Sequence, residues 1–335
     1  MKFLVVGLGS MGKRRVRNLQ SLKAEQIIGF DIRDDRRQES EHKYGIRTFK
    51  DFESAMREDP EALVISTPPD KHHEYALLAA KANKHFFTEI NFLREGMDDL
   101  VEIGNRKDIA AVPSFTMPHH PSIKLLRKML SEGKVGKPLC FSYHFGNYLP
   151  DWHGWEDYRQ VYFSRKDTPG CKEVVGFELT WLLWLLGDVR RVSCFKAKLS
   201  NLETDVIDDV YQVILEFKCG ILGNMLIDVV SRSSGRQMTL LGQEGTLYWN
   251  SQDGLLKAYD AQKEQWEEYP EDEGVEEPGY SIRLHEEIYV EEMNDFVEAA
   301  KGASPYPSSF QKEKEIVDLV EAIDKSAQQN ISVEA

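Results

Sequence analysis

The sequence predicts an α/β protein that begins with a doubly wound parallel sheet and continues into a second, strand-rich domain. Three observations predict this: a glycine-rich turn directly after the first strand, alternating strand and helix patterns up to about residue 118, and consecutive strand patterns after residue 190. The 335 residues suffice for two domains. We expect the first over residues 1–118 and the second over residues 119–335.

Composition and charge argue against several classes of protein. The chain carries 42 Lys and Arg against 56 Asp and Glu, a net charge of −14, which argues against a nucleic-acid binder. No run of the sequence reaches the ~18 apolar residues of a membrane span, and the N-terminal apolar run is too short for a signal peptide, so we expect a cytoplasmic protein. The four cysteines form no C-x-x-C pair, so we expect neither a zinc module nor a disulfide framework, and no metal site.

A dinucleotide-binding turn is predicted at the N-terminus. Residues 3–6 form an apolar strand pattern, a G-x-G-x-x-G segment follows, and residues 13–22 have helical character. The first glycine allows a tight turn, the second lets a pyrophosphate approach the backbone, and the third lets the helix pack on the strand. The helix N-terminus then faces the phosphates. The predicted cofactor contacts in this turn are Gly7, Gly9, Ser10, Met11 and Gly12.

The second strand pattern, residues 27–30, ends at Asp31, 19 positions after Gly12. An acidic residue at this distance accepts hydrogen bonds from the adenosine ribose hydroxyls and repels the 2′-phosphate of NADP, so the sequence favours NAD. Arg33 lies two positions further on and softens that preference, which leaves NADP possible. Ile32 and Arg33 are therefore included among the predicted cofactor contacts.

The remaining elements of the first domain continue the alternation. Strand patterns cover residues 48–51, 62–66 and 85–88, with helix patterns at 52–57 and 74–82. Ligands of an open parallel sheet lie at the carboxyl ends of its strands. A Thr-Pro-Pro turn closes the strand at 62–66, so we expect further cofactor contacts from Ser66, Thr67 and Pro68.

Residues 67–72 read T-P-P-D-K-H, residues 79–85 read A-A-K-A-N-K-H, and Glu89 follows. This order resembles the Gfo/Idh/MocA family of sugar oxidoreductases, whose members show T-P-x-x-x-H, A-x-x-A-G-K-H-V and E-K-P. Residues 130–138, 240–247 and 322–327 are similar to later motifs of the same family. The resemblance covers nearly the whole chain.

The resemblance implies a Rossmann domain followed by an α/β domain with a large, mostly antiparallel open sheet. It also implies NAD or NADP as cofactor and a small-molecule carbohydrate as substrate. Because an open sheet exposes a face and edges, it implies a homodimer or homotetramer. Within the cofactor site it implies that His72 supports the loop and that Glu89 and Ile90 contact the cofactor.

The sequence departs from the family at the positions that carry chemistry. Family dehydrogenases take the substrate proton with the lysine of E-K-P, but here that segment reads Glu89-Ile90-Asn91, and isoleucine cannot ionise. Counting back from the W-L-L-G segment, Phe177 and Thr180 stand where the family has a histidine and an aspartate. Loss of a general base costs on the order of 10²–10⁴ in rate. The resemblance therefore implies an atypical member with a non-standard acid/base set.

His119 and His120 lie at the expected junction of the domains, and Pro121 begins a helix pattern. A helix N-terminus lowers the pKa of a histidine and favours its neutral, base-competent form. We therefore predict His120 as a catalytic residue, together with Glu89 and Tyr143. The alternative is that both histidines are polar residues at a helix entry.

Residues 143–158 are rich in aromatic and hydrogen-bonding side chains, and sugars stack their C–H faces on aromatic rings. The segment resembles a P-D-W-H-P-W-E-D-Y loop of relatives, which implies that it covers a sugar site; the alternative is an aromatic packing loop at a subunit contact. The predicted substrate contacts are Asn91, His119, Trp152, His153, Trp155, Tyr158 and Phe177.

The second domain is expected to contain strands at 192–198, 210–217, 222–230, 238–241 and 246–250, a buried helix at 174–186 and an amphipathic helix at 311–329. The acidic segment 264–277 is predicted to be a solvated loop or hairpin.

Three functions fit this sequence. The first is an NAD(P)-dependent oxidoreductase acting on a sugar, a nucleotide sugar or a sugar-derived acid. The second is a dinucleotide-binding protein without turnover, such as a sensor or partner subunit. The third retains NAD through a net non-redox reaction, by analogy with such outcomes on this fold.

Overall fold

The chain forms two compact units in a computed structural model, which describes residues 1–154, 156–205, 208–271 and 285–335. The first unit contains residues 1–116 and 287–315, and the second contains residues 117–286 and 316–335. Residues 287–315 thus belong to the first unit, whereas the sequence interpretation placed everything after residue 118 in the second domain. The physical reason is burial, because Met293, Phe296 and Val297 lie in the core of the first unit.

The first unit is built on a six-stranded parallel sheet in the order β3-β2-β1-β4-β5-β6. The strand order reverses between β1 and β4, and the carboxyl ends of these two strands flank the crevice where open α/β sheets bind ligands. This confirms the predicted doubly wound sheet. The strands are β1 (Lys2–Val6), β2 (Gln26–Phe30), β3 (Arg47–Phe49), β4 (Ala62–Ile65), β5 (His85–Thr88) and β6 (Ala111–Pro113).

Both faces of this sheet are buried. Leu4 and Val6 lie in one apolar cluster, while Phe3 and Val5 lie in the cluster on the opposite face, as the period of two along a strand requires. Sheets covered on both faces need continuous apolar strands, which explains why the strand patterns of this half do not alternate.

The described helices of the chain are α1 (Ser10–Ser21), α2 (Asp34–Tyr44), α3 (Phe52–Met56), α4 (His72–Lys81), α5 (Met97–Gly104), α6 (Pro121–Ser131), α7 (Gly170–Leu186), α8 (Glu286–Ala300) and α9 (Phe310–Gln329).

The second unit contains a nine-stranded sheet in the order β14-β13-β12-β11-β7-β10-β9-β8-β15. Its β7 and β10 pair in parallel, and the other pairings between described strands are antiparallel. This confirms the large, mostly antiparallel sheet. Its strands are β7 (Pro138–Gly146), β8 (Val189–Ala197), β9 (Val210–Phe217), β10 (Leu222–Asp228), β11 (Gly235–Gly242), β12 (Gly245–Asn250), β13 (Leu255–Asp260), β14 (Gln265–Pro270) and β15 (Val333–Glu334).

One segment of the second unit differs from the sequence interpretation, and a second agrees with it where it is described. Residues 143–146 belong to strand β7 and not to a loop, because Phe141, Tyr143 and Phe145 alternate into the core. The acidic segment begins as the hairpin of β13 and β14, and its residues 272–277 lie outside the described part of the chain.

One face of this sheet carries exposed apolar side chains in the described part of the chain. On β9, Val213 and Leu215 are buried while Ile214 between them is exposed. Phe195 on the neighbouring β8 is 73% exposed. A sheet with one solvated face normally carries polar residues there, so these apolar side chains mark a surface that is suited to being covered.

None of the described helices has the length and apolar character needed to span a bilayer.

Candidate cofactor and substrate sites

The glycine turn between β1 and α1 has the geometry expected of a phosphate-binding turn. Gly7 has φ of +90°, and a Cβ there would lie 2.8 Å from the carbonyl oxygen of Ser66. A Cβ on Gly12 would lie 1.8 Å from the carbonyl oxygen of Gly7. Helix α1 starts directly after Gly9 with no side-chain cap and no acidic residue in its first turn, so its positive end suits an anion.

Asp31 lies at the carboxyl end of β2 and is fixed by two backbone donors. Its Oδ2 accepts the N–H of Leu8 at 2.7 Å, and its Oδ1 accepts the N–H of Arg33 at 2.8 Å. The first of these bonds ties the carboxylate to the glycine turn. The adjacent Ile32 is 80% exposed, which places an apolar surface beside the carboxylate.

Of Arg33 and Arg36, it is Arg36 that lies against this turn. The Arg33 guanidinium binds Asp35, with Nε 3.1 Å from Oδ1. Arg36 Nη1 lies 3.8 Å from Asp31 Oδ2 and 3.3 Å from the position that a Cβ on Gly9 would occupy. The sequence analysis considered Arg33 because it is closer to Asp31 along the chain. In the structure the first turn of α2 places Arg36, three positions further on, over the glycine turn.

The side chain of His72 supports the loop after β4 through a hydrogen bond. The buried ring places Nε2 2.7 Å from the carbonyl oxygen of Thr67. Burial lowers the pKa of His72, so the ring is neutral, and since a carbonyl only accepts, Nε2 carries the proton. This agrees with the supporting role that the family resemblance implies.

Glu89 is held by a buried ion-pair network in the first unit. It accepts two hydrogen bonds from Arg15, at 2.6 and 2.9 Å, and one from Ser66 Oγ at 3.1 Å. Arg15 Nη1 lies 2.7 Å from Glu292 Oε2. Burial lowers the pKa of Arg15, but the attraction of Glu292 and Glu89 outweighs it, and the pKa is raised. Arg15 is therefore a buried partner of carboxylates.

The two residues after Glu89 are buried. Ile90 presents only apolar atoms, and the Asn91 side chain accepts the N–H of Leu93 at 2.9 Å. The Asn91 N–H itself is donated to Glu313 Oε1 at 2.8 Å. Because its amide group is turned onto its own loop, Asn91 is not arranged as the substrate contact that the sequence predicted.

His120 is the N-cap of α6, where its Nδ1 accepts the N–H of Ser122 at 3.2 Å. Burial, chiefly, lowers its pKa to about 3; the neighbouring His285 lowers it further, and Glu271 opposes this. The predicted neutral form is confirmed, but burial is the main cause. His120 is buried and serves as the N-cap of α6, so it is poorly arranged for the catalytic role predicted for it. The adjacent His119 is only partly buried.

Tyr143 is wrong as a catalytic residue. It points into the core from β7, and its hydroxyl donates to Glu178 Oε2 at 2.6 Å. Burial raises its pKa well above 10. Glu178 also accepts from Trp181 Nε1 and from Arg236 Nη2, both at 2.7 Å. In the sequence, Glu178 lies within an apolar helix pattern, which indicates that its carboxylate is buried and needs a partner. Nothing in the sequence identifies Arg236 as that partner.

The aromatic segment packs on a residue that sequence reasoning did not single out. The rings of Trp152 and His153 lie 5.0 and 5.4 Å from that of Phe163. Tyr158 accepts the N–H of Glu203 on its hydroxyl at 3.2 Å. These contacts favour the packing-loop alternative for this segment. Trp155 lies outside the described residues.

Phe177 is half-buried on α7, and the Arg236 guanidinium lies 5.8 Å from its ring centre. Thr180 donates its hydroxyl to the Phe177 carbonyl at 2.7 Å, within the same helix. The sequence analysis placed Phe177 and Thr180 at the histidine and aspartate positions of the family. In the structure these positions hold an aromatic ring and a hydroxyl that is hydrogen-bonded within its own helix.

A parallel sheet with a glycine turn after β1 and a fixed aspartate after β2 defines an NAD-binding Rossmann unit. Comparison with known families gives the same class. Residues 1–103 match a family described as "Oxidoreductase family, NAD-binding Rossmann fold", and residues 123–248 match the "GFO/IDH/MocA C-terminal domain". The chain belongs to the Gfo/Idh/MocA oxidoreductase family.

Relatives extend over the whole chain. The myo-inositol 2-dehydrogenase of Thermotoga maritima is 23% identical over 346 residues, covering 99% of this chain and 98% of the relative. The levoglucosan dehydrogenase of Pseudarthrobacter phenanthrenivorans is 30% identical over 118 residues, covering 34% and 30%. An oxidoreductase from Agrobacterium radiobacter, solved with NAD+, L-tartaric acid and magnesium, has a TM-score of 0.84 at 14% identity, covering 100% and 98%.

Proposed function

We propose that the chain transfers hydride between NAD(P) and a sugar, a nucleotide sugar or a sugar-derived acid without the lysine that family dehydrogenases use. The observation that carries this proposal is the contrast between the intact nucleotide turn and the buried, apolar Ile90 that follows Glu89. The relatives named for myo-inositol and levoglucosan support a polyhydroxylated substrate. A cytoplasmic location stays a prediction.

The first unit fits a dinucleotide. The bare backbone at Gly9 and the uncapped start of α1 suit the pyrophosphate. Asp31 suits the ribose hydroxyls, and the exposed Ile32 suits one face of the adenine. When bound, the cofactor supplies the group that accepts or returns a hydride. The chain has to hold it, orient it and handle the accompanying proton.

We assign the proton-handling role to His119. Ile90 has no proton to exchange, Tyr143 is sealed in the core, and His120 serves as a buried cap. Imidazole is the commonest general acid and base of enzymes, and His119 is the less buried of the two adjacent residues, with its Nε2 atom itself buried.

The cofactor half of the proposal is tested by titrating the protein with NADH and following nicotinamide fluorescence. Asp31→Ala is expected to weaken NADH binding by about 10- to 100-fold, because charged hydrogen bonds contribute roughly 1.5–3 kcal/mol each. Asp35→Ala is the matched control, since it removes an exposed carboxylate that pairs with Arg33, and it should bind NADH as the wild type does. Unchanged binding in Asp31→Ala, with a wild-type circular dichroism spectrum, would overturn the assignment of the ribose site.

The chemical half is tested by NAD+ reduction with myo-inositol, levoglucosan, glucose 6-phosphate and UDP-sugars. His119→Ala is expected to lower kcat by on the order of 10²–10⁴ without changing the Kd for NADH. Ile90→Lys alone should not raise activity, since Phe177 and Thr180 remain. If the wild type binds NADH but exchanges no hydride with any of these compounds, the non-redox dinucleotide-binding alternative replaces the proposal. Product formed without added NAD would favour the retained-cofactor alternative.

We further propose that the chain forms a homodimer or homotetramer through the open face of the nine-stranded sheet. The exposed Phe195, Ile214 and Leu222 on three consecutive strands support this, because exposed apolar patches on a sheet face mark interaction surfaces.

A further inference from the structure

Three side chains with metal-binding chemistry meet in the second unit, and one of them is the His120 cap described above. They are His120, Glu271 and His285, and one ligand atom from each lies within 4.8 Å of the others. Glu271 Oε2 and His285 Nε2 are 3.4 Å apart. The two imidazole rings are 4.9 Å apart, edge to face. Sequence reasoning missed this cluster because the three residues are far apart in the chain and follow no ligand spacing.

The surroundings hold the Glu271 carboxylate and leave one of its oxygens facing a histidine. Its Oε1 accepts from Trp249 Nε1 at 2.8 Å and from Ser122 Oγ, while its Oε2 faces His285. The same Ser122 donates its N–H to His120 Nδ1 at 3.2 Å. Ser122 therefore contacts two of the three groups, and its hydroxyl orients the Glu271 carboxylate as outer hydrogen bonds orient metal ligands.

The Glu271 carboxylate meets two imidazoles, whereas an ordinary ion pair would need only one. Arg236 of the same unit is itself paired with Glu178 at 2.7 Å, so its positive charge is already balanced by a carboxylate.

We propose that His120, Glu271 and His285 bind a divalent transition-metal ion, with Zn²⁺ as the best match. Two imidazoles and a carboxylate form a known zinc ligand set that leaves a fourth position for water. Bonds of roughly 2.0–2.2 Å place tetrahedral ligand atoms roughly 3.3 Å apart, and Glu271 and His285 already have this separation. His120 has to move closer and give up its hydrogen bond with Ser122, a contact at the long end of the normal range.

The test is isothermal titration of tag-free, chelator-treated full-length protein with ZnCl₂, with thermal unfolding measured in parallel. The expected result is one Zn²⁺ per chain with a Kd in the micromolar range or tighter, and a rise in Tm of roughly 5 °C at saturation. Glu271→Gln and His285→Asn should each weaken binding at least about 10-fold and abolish the rise in Tm. The matched control is His144→Asn. It removes a histidine–carboxylate pair of the same unit, 2.7 Å from Asp228, and should bind zinc as the wild type does.

The proposal is overturned if the wild type binds no stoichiometric zinc. It is also overturned if Glu271→Gln binds zinc as tightly as the wild type, or if His144→Asn loses as much affinity as His285→Asn. Should a ligand variant fail to fold, Ser122→Ala takes its place, because it removes only the hydroxyl that orients Glu271. Its binding should weaken while the fold is kept, and unchanged affinity would count against the site. These outcomes do not depend on the proposed redox reaction, since every readout is binding or unfolding.

Discussion

Glu292→Gln is expected to lower the free energy of unfolding by about 3–5 kcal/mol, as the removal of one partner from a buried ion pair does. Glu292 and Arg15 are both fully buried and 2.7 Å apart. Glu292 Oε1 also accepts from Ser114 Oγ at 2.7 Å and from the N–H of Phe115. Glutamine keeps the size but removes the charge, so the Arg15 guanidinium retains only Glu89 as a partner. Urea unfolding followed by circular dichroism measures the loss.

The control for this change is Glu291→Gln, one position earlier on α8 and exposed. Surface substitutions of this kind stay within about 0.5 kcal/mol. A double variant, Arg15→Met with Glu292→Gln, should lose less than the sum of the two single changes, because both single changes break the same Arg15–Glu292 ion pair. A loss below about 1 kcal/mol in Glu292→Gln would show that the network does not stabilise the first unit as described.

Glu313→Gln is expected to stabilise the protein at pH 8 and to leave its stability at pH 4 nearly unchanged. Burial raises the pKa of Glu313 from 4.5 to about 8 in the folded protein. Between these values the unfolded chain has lost the proton and the folded chain keeps it. Stability from this group is thus complete below pH 4.5 and is lost as the pH rises through about 8. The loss is on the order of 4 kcal/mol over this range.

Glutamine removes this penalty because it carries no charge at any pH, and its carbonyl oxygen can still accept the N–H of Asn91. The measurement is Tm against pH for the two proteins. The difference should grow between pH 5 and pH 8, in favour of the variant. Glu315→Gln is the matched control, since Glu315 is exposed and two positions further on α9. A variant that is less stable than the wild type at pH 8 would show that Glu313 is ionised and paired in the folded state.

The sequence predicted the fold well where the signal is local. The glycine turn, Asp31 and the continuous apolar strands of the first unit are patterns within a few tens of residues, and the structure contains all of them. Strand β7 was missed in part because its aromatic residues also suit a sugar-binding loop. Period-two burial of Phe141, Tyr143 and Phe145 decides the matter only once the neighbouring strands are known.

The candidate site was less predictable because its contacts join distant positions. Glu178 needed a partner, but the partner is Arg236 on another strand. Arg15 pairs with Glu292, which lies far along the chain. The chemistry of His120 was anticipated correctly as neutral, but its burial against Trp249 and His285 has no local signature. Such pairings depend on which elements the fold brings together. They can therefore be identified only once the fold is known.

The first unit draws residues from both ends of the chain, and this bears on how the protein is made. Met293 and Phe296, which complete one face of its parallel sheet, are synthesised long after residue 116. At about 5–20 residues per second, the nascent sheet waits roughly ten to thirty seconds for them on the ribosome. During that interval one apolar face of the sheet is incomplete. A fragment that stops near residue 118 would stay in that condition permanently, so the nucleotide-binding half is not a module that can be separated from the rest by a single cut.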